Sequence, residues 1–179
     1  MLIPIAKRKR DDRPERLIER FEACHARIRA FLALAEKLGD EAAVREATPE
    51  QRVEAALDVA RYFSRAFPRH ARDEDEVVGP RLGPEAAPIM ARLAREHERD
   101  RPDVEELVIA CDAIANAEPW PSLAKLVASL APRIEAHLAY EEREMFPLVR
   151  ALSEEVEQEA MNEMQARRQD GRGERDRAT

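Results

Sequence analysis

The sequence predicts an all-α domain, on three observations. Ala, Leu, Glu and Arg dominate a 179-residue chain that carries only 5 Gly, the vocabulary of good helix formers. Aromatic residues make up 4%, and β-branched or aromatic runs from which strands could be built are few. Apolar residues recur at three- and four-residue spacing through four successive segments, the period of helices that bury one face. A chain of this length is enough for one domain with a real core.

The first helix is expected to begin near Asp12, where Asp12 and Glu15 can form a capping box and Pro14 suits the opening turn. Its stripe reads Leu17, Phe21, Cys24, Ile28, Phe31, Ala35 and Leu38, with His25 at the edge, and Gly39-Asp40 ends it. A polar linker leads to Thr48-Pro49-Glu50-Gln51, a start signal with proline at the first helical position. The second stripe reads Val53, Leu57, Ala60, Phe63 and Phe67, and His70 and Glu74 continue it. Pro68 should kink this helix just before His70, and Gly79-Pro80 should end it. The third helix opens at Gly83-Pro84 and carries Met90, Leu93, His97, Asp100, Val104, Leu107, Cys111 and Ile114. Pro102 is expected to kink or break it. After a turn at Glu118-Pro119-Trp120-Pro121, with Ser122 as a candidate cap, the fourth helix carries Leu123, Leu126, Leu130, Ile134, His137, Glu141, Met145 and Leu148. A short fifth amphipathic helix is expected from Ser153 to Gln165, with Val156, Ala160 and Met164 on one side. Thus residues 1–11 read as a basic tail, 12–166 as the helical domain and 167–179 as a charged, disordered tail.

The protein has four histidines, one on the inward stripe of each of the four helices. His25 and His97 stand alone, whereas His70 and His137 are each followed four residues later by a carboxylate, Glu74 and Glu141. Each of these pairs has a proline ten residues after its histidine, Pro80 and Pro147. The chain is therefore an internal pseudo-repeat of a two-helix unit. A four-residue step is about one helical turn, which puts imidazole and carboxylate on one face about 6 Å apart along the axis. Two such helices facing each other can hold a pair of metal ions with the carboxylates between them. Burying Glu74 and Glu141 with no cationic partner would be costly, and two metal ions supply that partner. Four imidazoles and two carboxylates suit iron first, with manganese or zinc behind it. The bland reading of the same residues is a metal-free polar core.

This ordered set, His25, His70-x3-Glu74, His97, then His137-x3-Glu141-Glu142 with Met145-Phe146-Pro147, resembles the hemerythrin-like, or HHE cation-binding, family. The likeness spans about residues 12 to 166 and includes the Leu152-Ser153-Glu154-Glu155 opening of the last helix. It implies an up-down-up-down four-helix bundle around two non-haem iron ions, with a short additional C-terminal helix. His25, His70, His97 and His137 would be terminal ligands, and Glu74 and Glu141 would bridge. Oxygen-carrying hemerythrins resemble a pattern with a second histidine one turn after the third-helix ligand; Arg101 stands there in this chain. Gly79 stands where Phe146 stands in the second copy. Asp100, Glu22 and Glu144 are candidates for a supplementary ligand, and Tyr140 is a candidate neighbour of the centre.

A formal net charge of −7 argues against a nucleic-acid surface, and Lys7-Arg8-Lys9-Arg10 reads as a solvated tail. Apolar runs such as Leu107-Val108-Ile109-Ala110 are too short to span a bilayer. The opening residues do not form a secretory signal, so the expected location is cytoplasmic. Cys24 and Cys111 read as buried thiols, not as a disulfide framework. Three functions follow from these residues. The first is a protein that binds or senses oxygen, nitric oxide, peroxide or iron, passing any signal to a partner protein. The second is an enzyme that turns over peroxide or nitric oxide. The third is a metal-free helical interaction module. The first is preferred, for a monomer or homodimer.

Overall fold

The computed structural model describes residues 16–173. Every regular element among them is helical: α1 Leu17–Gly39, α2 Glu41–Glu46, α3 Pro49–Arg61, α4 Phe67–Asp73, α5 Ala87–Ala115, α6 Leu123–Tyr140, α7 Phe146–Arg150 and α8 Glu154–Gly173, with π-helical and 3-10 turns between some of them. The expected cap at Asp12 and Glu15 and the basic run before it lie outside the described residues, as do residues 174–179. Within the described residues α1 begins at Leu17, and Glu19 turns back to accept from the Arg16 N–H at 3.1 Å. No described helix is long and apolar enough to cross a membrane.

Local chemistry sets the other boundaries. Asp40 accepts from the N–H groups of Ala42 and Ala43 at 2.7 and 3.0 Å, starting a short α2 in what the sequence suggested was plain linker. The expected start at Thr48 is a reciprocal capping box between Thr48 and Gln51, with bonds of 3.1 and 3.3 Å. Ser122 precedes α6 but makes no side-chain cap bond. Pro102 does not break α5, which runs unbroken from Ala87 to Ala115.

Other prolines act on the backbone more strongly. Three π-helical turns, Tyr62–Ala66, Glu74–Val78 and Glu141–Met145, each end two residues before a proline, namely Pro68, Pro80 and Pro147. A proline removes one N–H and its ring crowds the carbonyl four residues back; widening the turn by one residue accommodates both effects without ending the helix. Pro68 was expected to kink the second helix, and the π turn just before it is the form the disturbance takes. The other two π turns open at Glu74 and Glu141.

Helices α1, α3, α5 and α6 touch in a cycle, α1 to α3, α3 to α5, α5 to α6 and α6 back to α1. The stripe of α3 is rotated from the expected one: Ala55, Ala56, Val59 and Ala60 are buried, whereas Leu57 is exposed. The buried apolar residues form two clusters. One contains Ile28, Phe63, Val104, Leu107, Leu130 and Ile134. The other contains Phe21, Val77, Leu93, Met145 and Phe146, together with Ala160 and Met164 of α8. Helix α8 is longer than the expected Ser153–Gln165, and the disordered tail expected from Arg167 is helix as far as Gly173. Arg167 pairs with Glu76 and Glu163, and Arg168 with Asp73 at 2.8 Å, so the charged residues dock the helix. At the other edge of α8, Glu157 is buried beneath Arg16 and accepts from the Leu17 N–H.

Gly79 leaves room for the next element. A Cβ there would lie 2.9 Å from Met90 Cε, so Met90, reaching from α5, takes the volume beside Gly79.

Candidate metal centre

Between the two apolar clusters lies a polar layer. His25 is on α1, His70 on α4, Glu74 at the start of its π turn, His97 on α5, His137 on α6 and Glu141 at the start of the last π turn. The six fall into two overlapping groups of four. His25, His70, Glu74 and Glu141 each bring one donor atom within 4.8 Å of the others, and so do Glu74, His97, His137 and Glu141. The two carboxylates belong to both groups, and they divide their oxygens between them. Glu74 Oε1 lies 3.1 Å from His70 Nε2, and its Oε2 lies 3.3 Å from His97 Nε2. Glu141 Oε2 lies 2.7 Å from His25 Nε2 and 3.7 Å from His70 Nε2, and its Oε1 lies 2.5 Å from His137 Nε2.

The layer is dry. Glu74 and Glu141 are 0% exposed, and the His97 side chain, the most open of the six, is 11% exposed. Yet Nε2 of His70, His97 and His137, both oxygens of Glu74 and Oε1 of Glu141 have no hydrogen-bond partner. Several of these atoms approach one another within ion-pair distance but without hydrogen-bond alignment. Their donor atoms converge on two spaces, one in each group of four. Leaving so many buried polar atoms unmatched costs several kcal/mol, at about 1–3 kcal/mol for each group. A cation in each space would satisfy them together, and the imidazole-plus-carboxylate donor set suits borderline transition ions. The residues fit a metal.

Electrostatics agree with a ligand role. Burial, helped by the neighbouring imidazoles, pushes His70 down to about 3, which keeps the ring neutral and its lone pair available. Burial, and then the nearby Glu141, raises Glu74 well above the usual carboxylate range. Burial acts on Glu141 in the same sense, but the close imidazoles of His137 and His25 outweigh it and hold that group well below the range. Two buried carboxylates sharing one small space cannot both stay charged without a counter-cation.

The outward nitrogens of three imidazoles are held by further carboxylates. His25 Nδ1 lies 2.8 Å from Glu142 Oε1, His137 Nδ1 lies 2.8 Å from Glu96 Oε2, and His97 Nδ1 lies 3.2 Å from Asp75 Oδ2. Such a bond turns the other nitrogen inward and makes it a better donor. Arg29 ties Glu142 to Glu135, and Arg92 binds Glu96 at 2.8 Å. Neither Glu96 nor Asp75 is among the candidates the sequence offers. Glu142 is turned away from Glu141, as the helical step requires, but it turns toward His25 on the neighbouring helix. A signal was present: in both copies the bridging-capable carboxylate is followed at once by a second acid, Asp75 and Glu142.

The supplementary candidates are elsewhere. Asp100 is buried against Arg99 and Arg133, Glu22 pairs with Arg150, and Glu144 with Arg143. Arg101 is exposed and pairs with Glu98 at 2.5 Å. Tyr140 lies under the Arg92 guanidinium, 3.7 Å from the ring centroid. Phe146 packs on His25 and Phe21 on His70, with centroids 4.8 and 5.7 Å apart. A cleft of about 660 Å³ runs between α4 and α5 and is walled by Phe63, Phe67, Val104 and Val108, with His97 and Asp75 at its edge.

Comparison with protein families matches residues 16–149 to the hemerythrin HHE cation binding domain. All six inward residues fall within the matched span. Comparison with curated proteins gives no match.

Proposed function

The chain belongs to the hemerythrin HHE cation-binding domain family, and from that premise we propose that it holds two iron ions at this centre and presents them to oxygen or a related small molecule such as nitric oxide or peroxide. The observation that carries the reading is the division of oxygens on Glu74 and Glu141, one toward each group of imidazoles. In this reading His25 and His70 would hold one ion and His97 and His137 the other, and Glu74 and Glu141 would be shared between them. A pair of iron ions supplies redox electrons and an open coordination position for a small ligand.

The protein's own groups prepare that position. Asp75, Glu96 and Glu142 orient their histidines. Phe21, Phe146, Leu93 and Val77 exclude water from the layer, which strengthens electrostatic contacts within it. The bundle is read as up-down-up-down. In support, the cluster that holds Ile28 takes residues after the histidine on α1 and α5, but before it on α3 with its following π turn and, Leu138 apart, on α6, and the other cluster reverses this. The boundaries 12–166 belong to the same reading.

The test is anaerobic reconstitution with ferrous iron followed by exposure to oxygen, nitric oxide or peroxide, monitored by visible absorption. A ligand-dependent charge-transfer spectrum that reverses on removing the ligand supports binding or sensing. Steady consumption of peroxide or nitric oxide would favour an enzyme instead. A colourless, unresponsive protein would overturn both.

A further inference from the structure

The two halves of the layer are built differently on their outer side. In the His97 and His137 half each outward nitrogen meets a carboxylate oxygen. For His137 that oxygen is Glu96 Oε2, and Arg92 binds the other one, Oε1. In the His25 and His70 half the arrangement is weaker at both imidazoles. The oxygen that accepts from His25, Glu142 Oε1, also accepts from Arg29 Nη1 at 2.7 Å, and the guanidinium draws off the electron density the imidazole would gain. For His70 the difference is in the sequence. The residue just before His97 is Glu96, which reaches across to His137; the residue just before His25, related to it by the internal repeat, is Cys24.

We propose that the two metal positions are unequal, the His97–His137 position filling first and the His25–His70 position second, with Glu96 and Asp75 as the positioning residues that set the order. This rests on the dinuclear reading above. A carboxylate behind a ligating imidazole fixes its tautomer and raises its donor strength, and losing one costs about 10–100-fold in metal affinity. Two imidazoles each backed by a carboxylate, against one whose carboxylate is shared with Arg29 and one whose repeat-related position is Cys24, turned to Tyr62, give a difference of that order.

The experiment is a stepwise titration of the full metal-free chain with Co(II), read by visible absorption and by competition with a chelator. Two ions per chain are expected, the first bound at least about 10-fold more tightly than the second. Glu96→Gln, which keeps the shape and removes the charge, should weaken the first step by about 10-fold or more and bring the two steps together. His25→Gln should keep the tight step, and His97→Gln should remove it. Two steps of equal affinity in the wild-type chain would overturn the order, and so would a tight step lost in His25→Gln but kept in His97→Gln. Binding of one ion or none by the wild type would instead overturn the dinuclear reading itself.

Discussion

Glu141 and Glu142 are adjacent in the chain and have different tasks. Glu141 is buried at the middle of the layer and touches three imidazoles, whereas Glu142 sits half-buried outside it and holds one of them from behind. Glu141→Gln is therefore expected to lower the number of ions held per chain. Glu142→Gln should keep the number and weaken retention by about 10–100-fold. Dialysis against graded chelator, followed by metal analysis, separates the two; a Glu142→Gln protein that retains metal like the wild type would contradict the outer contact. The cysteines give a second prediction at this scale. Burial pushes the thiols of Cys24 and Cys111 up to about 12, and a raised pKa leaves almost no thiolate at neutral pH. Both should resist a thiol reagent in the native protein at pH 7.5 and react fully once it is unfolded.

At the scale of elements, the contact between α1 and α6 depends on Gly39. A Cβ there would come within 2.9 Å of Ala124 Cα, a backbone atom that cannot swing away. Gly39→Ala should cost about 1–3 kcal/mol, and Thr48→Ala about 1 kcal/mol through loss of the α3 cap. Thermal unfolding of the two variants measures both, and an unchanged melting temperature in Gly39→Ala would show that the helices can separate freely there. The inner ligand candidates were legible in the sequence because they obey one helix's own geometry: a histidine on the apolar stripe and an acid one turn on. The cap at Thr48 was legible for the same reason. What lay hidden depends on two helices at once or on backbone that departs from the regular period. Glu96 reaches His137 across a helix pair, Met90 fills the space beside Gly79, and the π turns at Tyr62–Ala66, Glu74–Val78 and Glu141–Met145 shift the register locally. The α3 stripe differs from the expected one because Ala55 and Ala56 pack inward while the larger Leu57 faces outward.

At the scale of the whole molecule, a polar layer separates two apolar clusters, and α8 closes the outer side of one of them. Deleting residues 154–179 removes Ala160 and Met164 from the core and Glu157 from beneath Arg16. The expected result is a melting temperature several degrees lower, since 1 kcal/mol shifts a domain of this size by about 2–8 °C; an unchanged value would mean that α8 docks without contributing stability. Removing metal should also destabilise the chain, because metal binding to a site absent from the unfolded chain adds to folding stability. The most direct test of the dinuclear centre is iron per chain, by elemental analysis of protein reconstituted anaerobically with ferrous iron and freed of loose metal. Two irons per chain are predicted, falling below two in Glu74→Ala and Glu141→Ala. One iron or none in the wild-type chain would contradict a centre in which both carboxylates are shared.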